Sequence, residues 1–349
     1  MNGSDWGQFL IDEADKAKNA GRTIVRLVAL QPGGFAVDDA VDLAGRRFPV
    51  TVELANITFT GRVDLAESRF DASLNVDACT FEQGLVLRDA RIDGNCRLRS
   101  CEFEDKVYKF LDFRRLHVTG RLNLACSTSH VGIDLTSLTC EDEVRLDGLH
   151  ATATIKKRSD IDLPPDAAPG LLQHLGNFMI GVAVQMRGAD IRRDLLLFEI
   201  DGRPTKLTGS ADFRAKVGMS VTFSGAVVDA GKGSKAVNMD AADVGGTVFF
   251  QNGTHLTGYV DLRAKVGGHV NFDNATVIAE PGSRAVDMGR ADVGKSVFFR
   301  NGTHLTGYVN LRAKVGGQVA FDNATVLAKP GSMAVNMNAA DISGSVFFR

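Results

Sequence analysis

The chain has almost no net charge, because 40 Lys and Arg stand against 42 Asp and Glu. A protein that binds nucleic acid or an anionic membrane through bulk charge needs an excess of basic residues. A protein that imitates DNA needs the opposite, a strongly acidic surface. The near balance of charge therefore gives no reason to expect a nucleic-acid partner, and it argues against DNA mimicry.

The sequence also lacks the segments that direct a protein out of the cytoplasm or into a membrane. Its first residues contain neither a basic stretch nor the apolar run of a secretory signal peptide. Residues 170–186 form a run without a charged residue, and this run is shorter than the roughly 18 apolar residues of a membrane span. We therefore expect an intracellular, most simply cytoplasmic, protein with no membrane span.

Cysteine is scarce and irregularly placed. The five cysteines all lie in the first half of the chain, and no two of them have the Cys-x-x-Cys spacing. An odd number without clustering speaks against a disulfide framework and against a zinc site. The sequence predicts free, buried thiols in a reducing compartment for Cys79, Cys96, Cys101, Cys126 and Cys140.

Repetition is what the sequence has in abundance. The segment 252–277 returns almost unchanged as 301–326, at an offset of 49 residues. The same offset relates Asp243 to Asp292 and Asp341. A fixed period of this kind indicates an architecture of stacked repeats.

A shorter period lies inside the long one. Apolar residues come in pairs two positions apart, as at Val248 and Phe250, which places both side chains on one face of a strand. Phe59, Phe70 and Phe81 recur at a constant period of 11. Two such steps, about 22 residues, make four short sides, and parallel pairing stacks successive coils at about 4.8 Å. The sequence thus predicts an all-β parallel β-helix with quadrilateral coils, and a three-sided β-helix is the alternative.

Several segments resemble the pentapeptide-repeat family, whose motif is a small residue, Asp or Asn, Leu or Phe, and two polar residues. The resemblance is carried by VDLAE at 63–67, AESRF at 66–70, ARIDG at 90–94 and VNLR at 309–312. It covers residues 50–153 and, more loosely, 187–349, although the steps here run 5 + 6 rather than 5 + 5. It implies a right-handed quadrilateral β-helix. It also implies one specific activity, modulation of a DNA topoisomerase by a rod that imitates DNA, which the near-neutral charge does not fit.

The patterns divide the chain into four parts. Residues 1–48 form an N-terminal cap, in which 4–19 carry the apolar stripe of an amphipathic helix. Such a helix is expected to cover the open end of the first coil. Residues 49–155 form a regular β-helix, 156–187 an insertion or linker with a short helix, and 188–349 a second β-helical segment with the 49-residue repeats.

Motifs of catalysis or metal binding are missing, so we predict no catalytic residue, no cofactor and no metal. His255 and His304 recur in identical loops, but they lie two coils apart, about 10 Å, which is too far for two ligands of one zinc ion. Asp273 and Asp322 repeat in the same way and suit corners. A carbohydrate-active β-helix enzyme remains the alternative, and it would need an acidic cleft.

Basic residues recur once per 49-residue unit and form the candidate interaction surface. They are Arg214, Lys216, Arg263, Lys265, Arg312 and Lys314. Because Asp212 and Asp261 flank the first two pairs, a solvated face of mixed charge is the main interpretation, and a basic ridge that binds a polyanion is the alternative.

The function predicted from these features is that of a non-catalytic scaffold whose flat faces bind another macromolecule, most simply a protein. The 349-residue chain ends in VFFR, with no polar cap after Val346 and Phe348. We expect either that it is a fragment of a longer protein or that residues after 331 form a homodimer through the ends of the solenoid.

Overall fold

The structure, a computed structural model, describes residues 2–29, 34–107, 110–153 and 181–349. They fall into two compact units, Met1–Gln185 (unit 1) and Met186–Arg349 (unit 2). Apart from one helix, the regular structure of the described residues consists of short strands, which pair in four parallel sheets in each unit. Each unit is therefore a stack of four-sided coils. The quadrilateral prediction is confirmed, and the three-sided alternative is wrong.

The N-terminal helix spans Gly3–Asn19 and confirms the helix predicted at 4–19. It begins where the side chain of Asn2 accepts a hydrogen bond of 2.8 Å from the Asp5 N–H, which satisfies one of the free donors of the first turn. The Trp6 ring is buried and packs edge-on against the ring of Phe59, with centroids 5.1 Å apart. The helix thus covers apolar side chains of the first coils.

The sides of a coil are numbered here in chain order. In unit 1, side 1 comprises Ile24–Val28, Thr51–Ala55, Leu74–Asp77, Cys96–Arg99, Leu122–Asn123 and Val144–Arg145. Side 2 comprises Phe35–Val37, Ile57–Phe59, Thr80–Phe81, Glu102–Phe103, Thr128–Ser129 and His150–Thr152. Side 3 comprises Val41–Asp42, Val63–Asp64, Leu85–Val86, Phe110–Asp112, Gly132–Asp134 and Val182–Gln185. Side 4 comprises Arg47–Phe48, Arg69–Phe70, Arg91–Ile92, His117–Val118 and Thr139–Cys140.

Unit 2 has the same four sides, numbered by the same order within a coil. Side 4 comprises Asp190–Ile191, Lys216–Val217, Asp243–Val244, Lys265–Val266, Asp292–Val293, Lys314–Val315 and Asp341–Ile342. Side 1 comprises Leu195–Phe198, Val221–Ser224, Val248–Gln251, Val270–Asn271, Val297–Phe298, Val319–Phe321 and Val346–Phe348. Side 2 comprises Lys206–Thr208, Val227–Asp229, His255–Thr257, Thr276–Ile278, His304–Thr306 and Thr325–Leu327. Side 3 comprises Ser210–Asp212, Lys235–Asn238, Tyr259–Asp261, Arg284–Asp287, Tyr308–Asn310 and Val335–Asn336.

The core of unit 1 explains the period of 11. Phe59, Phe81 and Phe103 are buried on side 2 and stack face to face, with ring centroids 5.0 and 5.3 Å apart. Phe48 and Phe70 stack in the same way on side 4, at 4.7 Å. One period therefore carries the chain from side 2 to side 4, and a second period returns it to side 2 of the next coil.

The period of 49 in unit 2 corresponds to two coils of different length. Val248 pairs with Val270, and Val270 pairs with Val297, so the second of the two coils is the longer one. Its additional residues lie at the corner between sides 2 and 3, at 279–283. The side 3 ladder continues after these extra residues with a register shift between Arg284 and Val286, so the stack tolerates them.

The predicted insertion at 156–187 is described only from Gly181 onward, where Val182–Gln185 forms a strand that pairs with Gly132–Asp134 on side 3. The short helix predicted near 171–175 lies outside the described residues. In the part of the chain that the structure describes, no helix is long and apolar enough to cross a membrane.

Candidate interaction surface

Side 4 of unit 2 presents a single column of charged side chains. Each of its strands has two residues, of which the first points outward and is exposed while the second is an Ile or Val that points into the core. The outward residues, called here the charge ladder, are Asp190, Lys216, Asp243, Lys265, Asp292, Lys314 and Asp341. The charge alternates because one 49-residue repeat makes two coils and carries one acid and one base at this position.

The geometry of the charge ladder follows from the pairing of its strands. Lys265 is in register with Asp243 on one side and with Asp292 on the other, so neighbouring Cα atoms lie about 4.8 Å apart. Lys216 makes an ion pair of 3.1 Å with Asp190, and its side chain remains 65% exposed. The charge ladder thus presents positive and negative groups alternately, at a regular spacing along the stack of coils.

Glycine follows five of the seven ladder strands at the corner between sides 4 and 1. A Cβ atom at Gly245 would lie 2.2 Å from the carbonyl oxygen of Gly218, and one at Gly267 would lie 2.3 Å from that of Gly245. Neither position can carry a side chain without moving the backbone. At these glycine positions no side chain stands beside the charge ladder.

The predicted lysines and arginines occupy two different places. Lys216, Lys265 and Lys314 belong to the charge ladder, where their aspartate neighbours make a mixed face rather than a basic ridge. The arginines Arg214, Arg263 and Arg312 lie just before side 4, at its corner with side 3. The two sets therefore have to be considered separately.

Arg263 is held in a network of ion pairs. Its guanidinium lies 2.7 Å from the carboxylate of Asp261 and 3.0 Å from that of Asp240 in the preceding coil. Lys235 also contacts Asp261, at 2.8 Å. Burial alone would raise the pKa of Asp261, but the hydrogen bonds from Arg263 and Lys235 outweigh it and lower that pKa below its usual value.

Arg214 and Arg312 differ in their surroundings. Arg214 forms an ion pair with the buried carboxylate of Asp212, two residues before it. Arg312 is exposed, and Asn310 stands at the position that corresponds to Asp212 and Asp261. Among the residues that the structure describes, no ion pair forms on the guanidinium of Arg312.

At the C-terminal end of unit 2, the last coil exposes the kind of side chains that are buried elsewhere. Phe348 is 62% exposed and Val346 is 38% exposed. Phe321, one coil earlier, is only 4% exposed because the Phe348 ring stacks on it, with centroids 5.0 Å apart. In the 349-residue chain this end therefore presents apolar surface to water.

The repeated histidines do not converge on one place. In the side 2 ladder of unit 2, Thr276 stands between His255 and His304, so the two rings lie two coils apart.

A cluster in unit 1 was not predicted from the sequence. It consists of Glu102, Glu104 and His130, whose ligand atoms all lie within 4.8 Å of one another. The strand that contains Glu102 pairs with the strand just before His130 in the next coil, so only the register brings these residues together. His130 Nε2 is already 3.0 Å from Glu102 Oε1, and nothing further at this place points to an ion.

Two candidate reactive groups, the Cys79 thiol and the Asp273 carboxylate, are suppressed or occupied. All five cysteines are free, and burial raises the pKa of the Cys79 thiol to about 11, which disfavours the reactive thiolate. Asp273 accepts hydrogen bonds of 3.2 and 2.9 Å from Arg300, and Asn274 beside it adopts the left-handed conformation of a corner, with φ 55°. The repeated Asp-Asn pair is thus built into a corner.

Comparison with known protein families finds one match. Residues 54–102, within unit 1, match the family model described as pentapeptide repeats (9 copies). Comparison with curated proteins and with solved structures gave no match. The matched segment contains the motifs at 63–67, 66–70 and 90–94, whereas the one at 309–312 lies outside it, and the matched residues form all four sides of the coil.

Proposed function

We propose that this chain, a pentapeptide-repeat β-helix protein, is a non-catalytic scaffold that binds another protein through the charge ladder of unit 2. The observation that carries the proposal is the alternation of Asp and Lys along one rigid, accessible side. Because the backbone fixes the spacing of these charges along the stack, a partner with the opposite alternation can match them in register, and such complementarity favours specific binding.

The distribution of charge favours a protein over a nucleic acid. A polyanion laid along the charge ladder would meet an aspartate at every second coil, which repels phosphate groups. Unit 1 contains 21 Lys and Arg against 27 Asp and Glu, and unit 2 contains 19 against 15. Side 4 of unit 1 carries Arg47, Arg69 and Arg91, so neither unit has the uniformly acidic surface of a DNA mimic.

Pentapeptide-repeat solenoids are generally non-catalytic, and the side chains of this one support the same role. A carbohydrate-active β-helix would need carboxylates that converge on a cleft. Asp212, Asp261 and Asp273 instead accept hydrogen bonds from neighbouring arginines, so these repeated carboxylates serve the coil. The five free thiols support a reducing compartment, and we place the scaffold in the cytoplasm.

Affinity capture from native lysate, read by mass spectrometry, tests the proposal if variants are compared. The ladder variant carries Lys216→Gln, Lys265→Gln and Lys314→Gln. The control variant carries Lys206→Gln, Lys232→Gln and Lys329→Gln, and loses the same charge elsewhere in unit 2. We expect proteins that the wild type and the control capture and the ladder variant loses. Equal capture by all three chains would refute the role of the ladder.

A second proposal concerns the exposed end of unit 2. The exposure of Val346 and Phe348 supports self-association of the 349-residue chain, since a second copy would remove this apolar surface from water. Such a dimer would carry two charge ladders, and a repeated partner would bind it more tightly than one copy.

A further inference from the structure

The two most similar copies of the 49-residue repeat differ at the acidic residue that pairs with an arginine in the first of them. Segments 252–277 and 301–326 differ at three positions, and one difference replaces Asp261 by Asn310. Asp261 is the residue whose carboxylate pairs with Arg263 at 2.7 Å. Its loss in the last copy leaves the corresponding arginine, Arg312, without that partner.

The other carboxylates near Arg263 are also missing around Arg312. Arg263 has three of them within 4.0 Å, from Asp240, Asp261 and Asp287. The corresponding residues near Arg312 are Gly289, Asn310 and Asn336. A Cβ atom at Gly289 would lie 2.8 Å from the Asn310 amide nitrogen, so a side chain there would have to displace the Asn310 amide. The three positions that hold carboxylates around Arg263 are therefore uncharged around Arg312, which is exposed. The carboxylate of Asp287, in the preceding coil, accepts a hydrogen bond from Asn310 and pairs with Arg284.

A second unpaired arginine stands in the neighbouring coil. The backbone N–H of Arg290 donates a hydrogen bond of 2.8 Å to the carbonyl oxygen of Arg312, so the two residues are adjacent along the stack. Arg290 is exposed, and the same corner holds Ala241 and Ala339 in the other copies. Within the described ranges neither guanidinium forms an ion pair, although unit 2 pairs Arg214, Arg263, Arg284 and Arg300.

We propose that Arg290 and Arg312 together bind an oxyanion, a phosphate or a carboxylate group of the partner. Each guanidinium presents a planar set of N–H donors that matches such a group with two parallel hydrogen bonds. Asp292 and Asp341 on the adjacent ladder strands are in register with Lys314, which lies between them and offsets part of their charge. This inference rests on the proposed function, and it names the chemistry of one contact within it.

Replacing Asn310 by Asp provides the sharpest test. The change restores the carboxylate that neutralises Arg263 in the preceding copy, without removing either arginine and almost without changing side-chain size. Arg312→Gln is a second variant, which keeps the test valid if the new carboxylate disturbs Asp287, whose Oδ1 accepts from Asn310 at 2.8 Å. The control is Arg22→Gln, which removes one exposed positive charge from unit 1.

The experiment titrates sodium phosphate or sodium succinate into protein labelled with ¹⁵N-arginine, at constant ionic strength, and follows the side-chain Nε–H signals. We expect two signals to shift saturably in the wild type and in Arg22→Gln. In Asn310→Asp and Arg312→Gln the affinity should fall at least about tenfold, equal to about 1.4 kcal/mol. Tighter binding of phosphate or of succinate identifies which group the site prefers.

The inference is overturned if neither anion produces a saturable shift, or if Asn310→Asp binds as tightly as the wild type. Because the titration contains no partner protein, it can fail while lysate capture still depends on the lysines of the charge ladder. The two proposals are therefore tested separately.

Discussion

The stacked phenylalanines of unit 1 make the coil geometry testable with one substitution. Phe81 is 1% exposed and lies between the rings of Phe59 and Phe103, at 5.0 and 5.3 Å. Truncating a buried phenylalanine to alanine costs about 3–5 kcal/mol. Because Phe81→Ala loses a stacking contact on both faces, each worth about 0.5–1.5 kcal/mol, we expect a value near the upper end, about 4–5 kcal/mol. Neighbouring coils cannot close the gap without breaking the parallel ladders on either side.

Thermal unfolding followed by circular dichroism measures this effect. For a unit of this size, about 4–5 kcal/mol should lower the Tm by about 8–20 °C. The matched control is Phe9→Ala on the helix, where the ring is 40% exposed and less apolar area is lost. If both substitutions lower the Tm equally, Phe81 does not lie in a stacked core and the assignment of sides is wrong.

Three further predictions follow from the coil. Deleting one whole repeat, Val244 to Asp292, should leave a folded, shorter chain, whereas deleting Ser68 to Ala78, half a coil, should be far more destabilising; equal melting of the two would contradict the two-step coil. In light scattering on a gel-filtration column, the wild type at about 50 μM should elute as a self-associated species. The double variant Val346→Lys, Phe348→Lys should elute as a monomer. A wild-type monomer, unchanged by the substitutions, would contradict the proposed dimer. Because ion pairs hold the pKa of Asp261 below its unfolded value of about 3.9, its stabilisation is present above that pH and is lost as the pH falls further. Acid unfolding of Asp261→Asn should accordingly depend less on pH below about 4 than that of the wild type, and identical profiles would show that the carboxylate contributes nothing.

The coil itself could be predicted from the sequence because burial fixes the spacing of its apolar residues. Phe59 and Phe81 lie on side 2 of successive coils, 22 residues apart, and Phe70 lies midway on side 4, so the period of 11 corresponds to half a coil, or two sides. The helix at Gly3–Asn19 was predictable for the same reason, from its apolar stripe. Both features depend on the spacing of apolar residues that are close together in the chain, and this spacing can be read from a single sequence.

The candidate surface depends on register, which the sequence displays less clearly. Asp261 lies two residues before Arg263 and could be recognised as its neighbour, but Asp240 lies 23 residues earlier and reaches it only through stacking. Likewise, the alternation of Lys265 with Asp243 appears only once the lengths of the shorter and the longer coil are known. Corner insertions change the count between coils, so distant charged residues could not be paired from their spacing.

Cross-linking mass spectrometry of the captured complex tests the central claim most directly, because the charge ladder contains its own amine-reactive reporters. The proposal predicts that links to the partner concentrate on Lys216, Lys265 and Lys314. Lysines away from side 4, such as Lys16 on the helix and Lys206 on side 2, should react with the reagent without linking to the partner. Links that concentrate on Lys16 or Lys206, with none from the three ladder lysines, would show that the partner binds another surface.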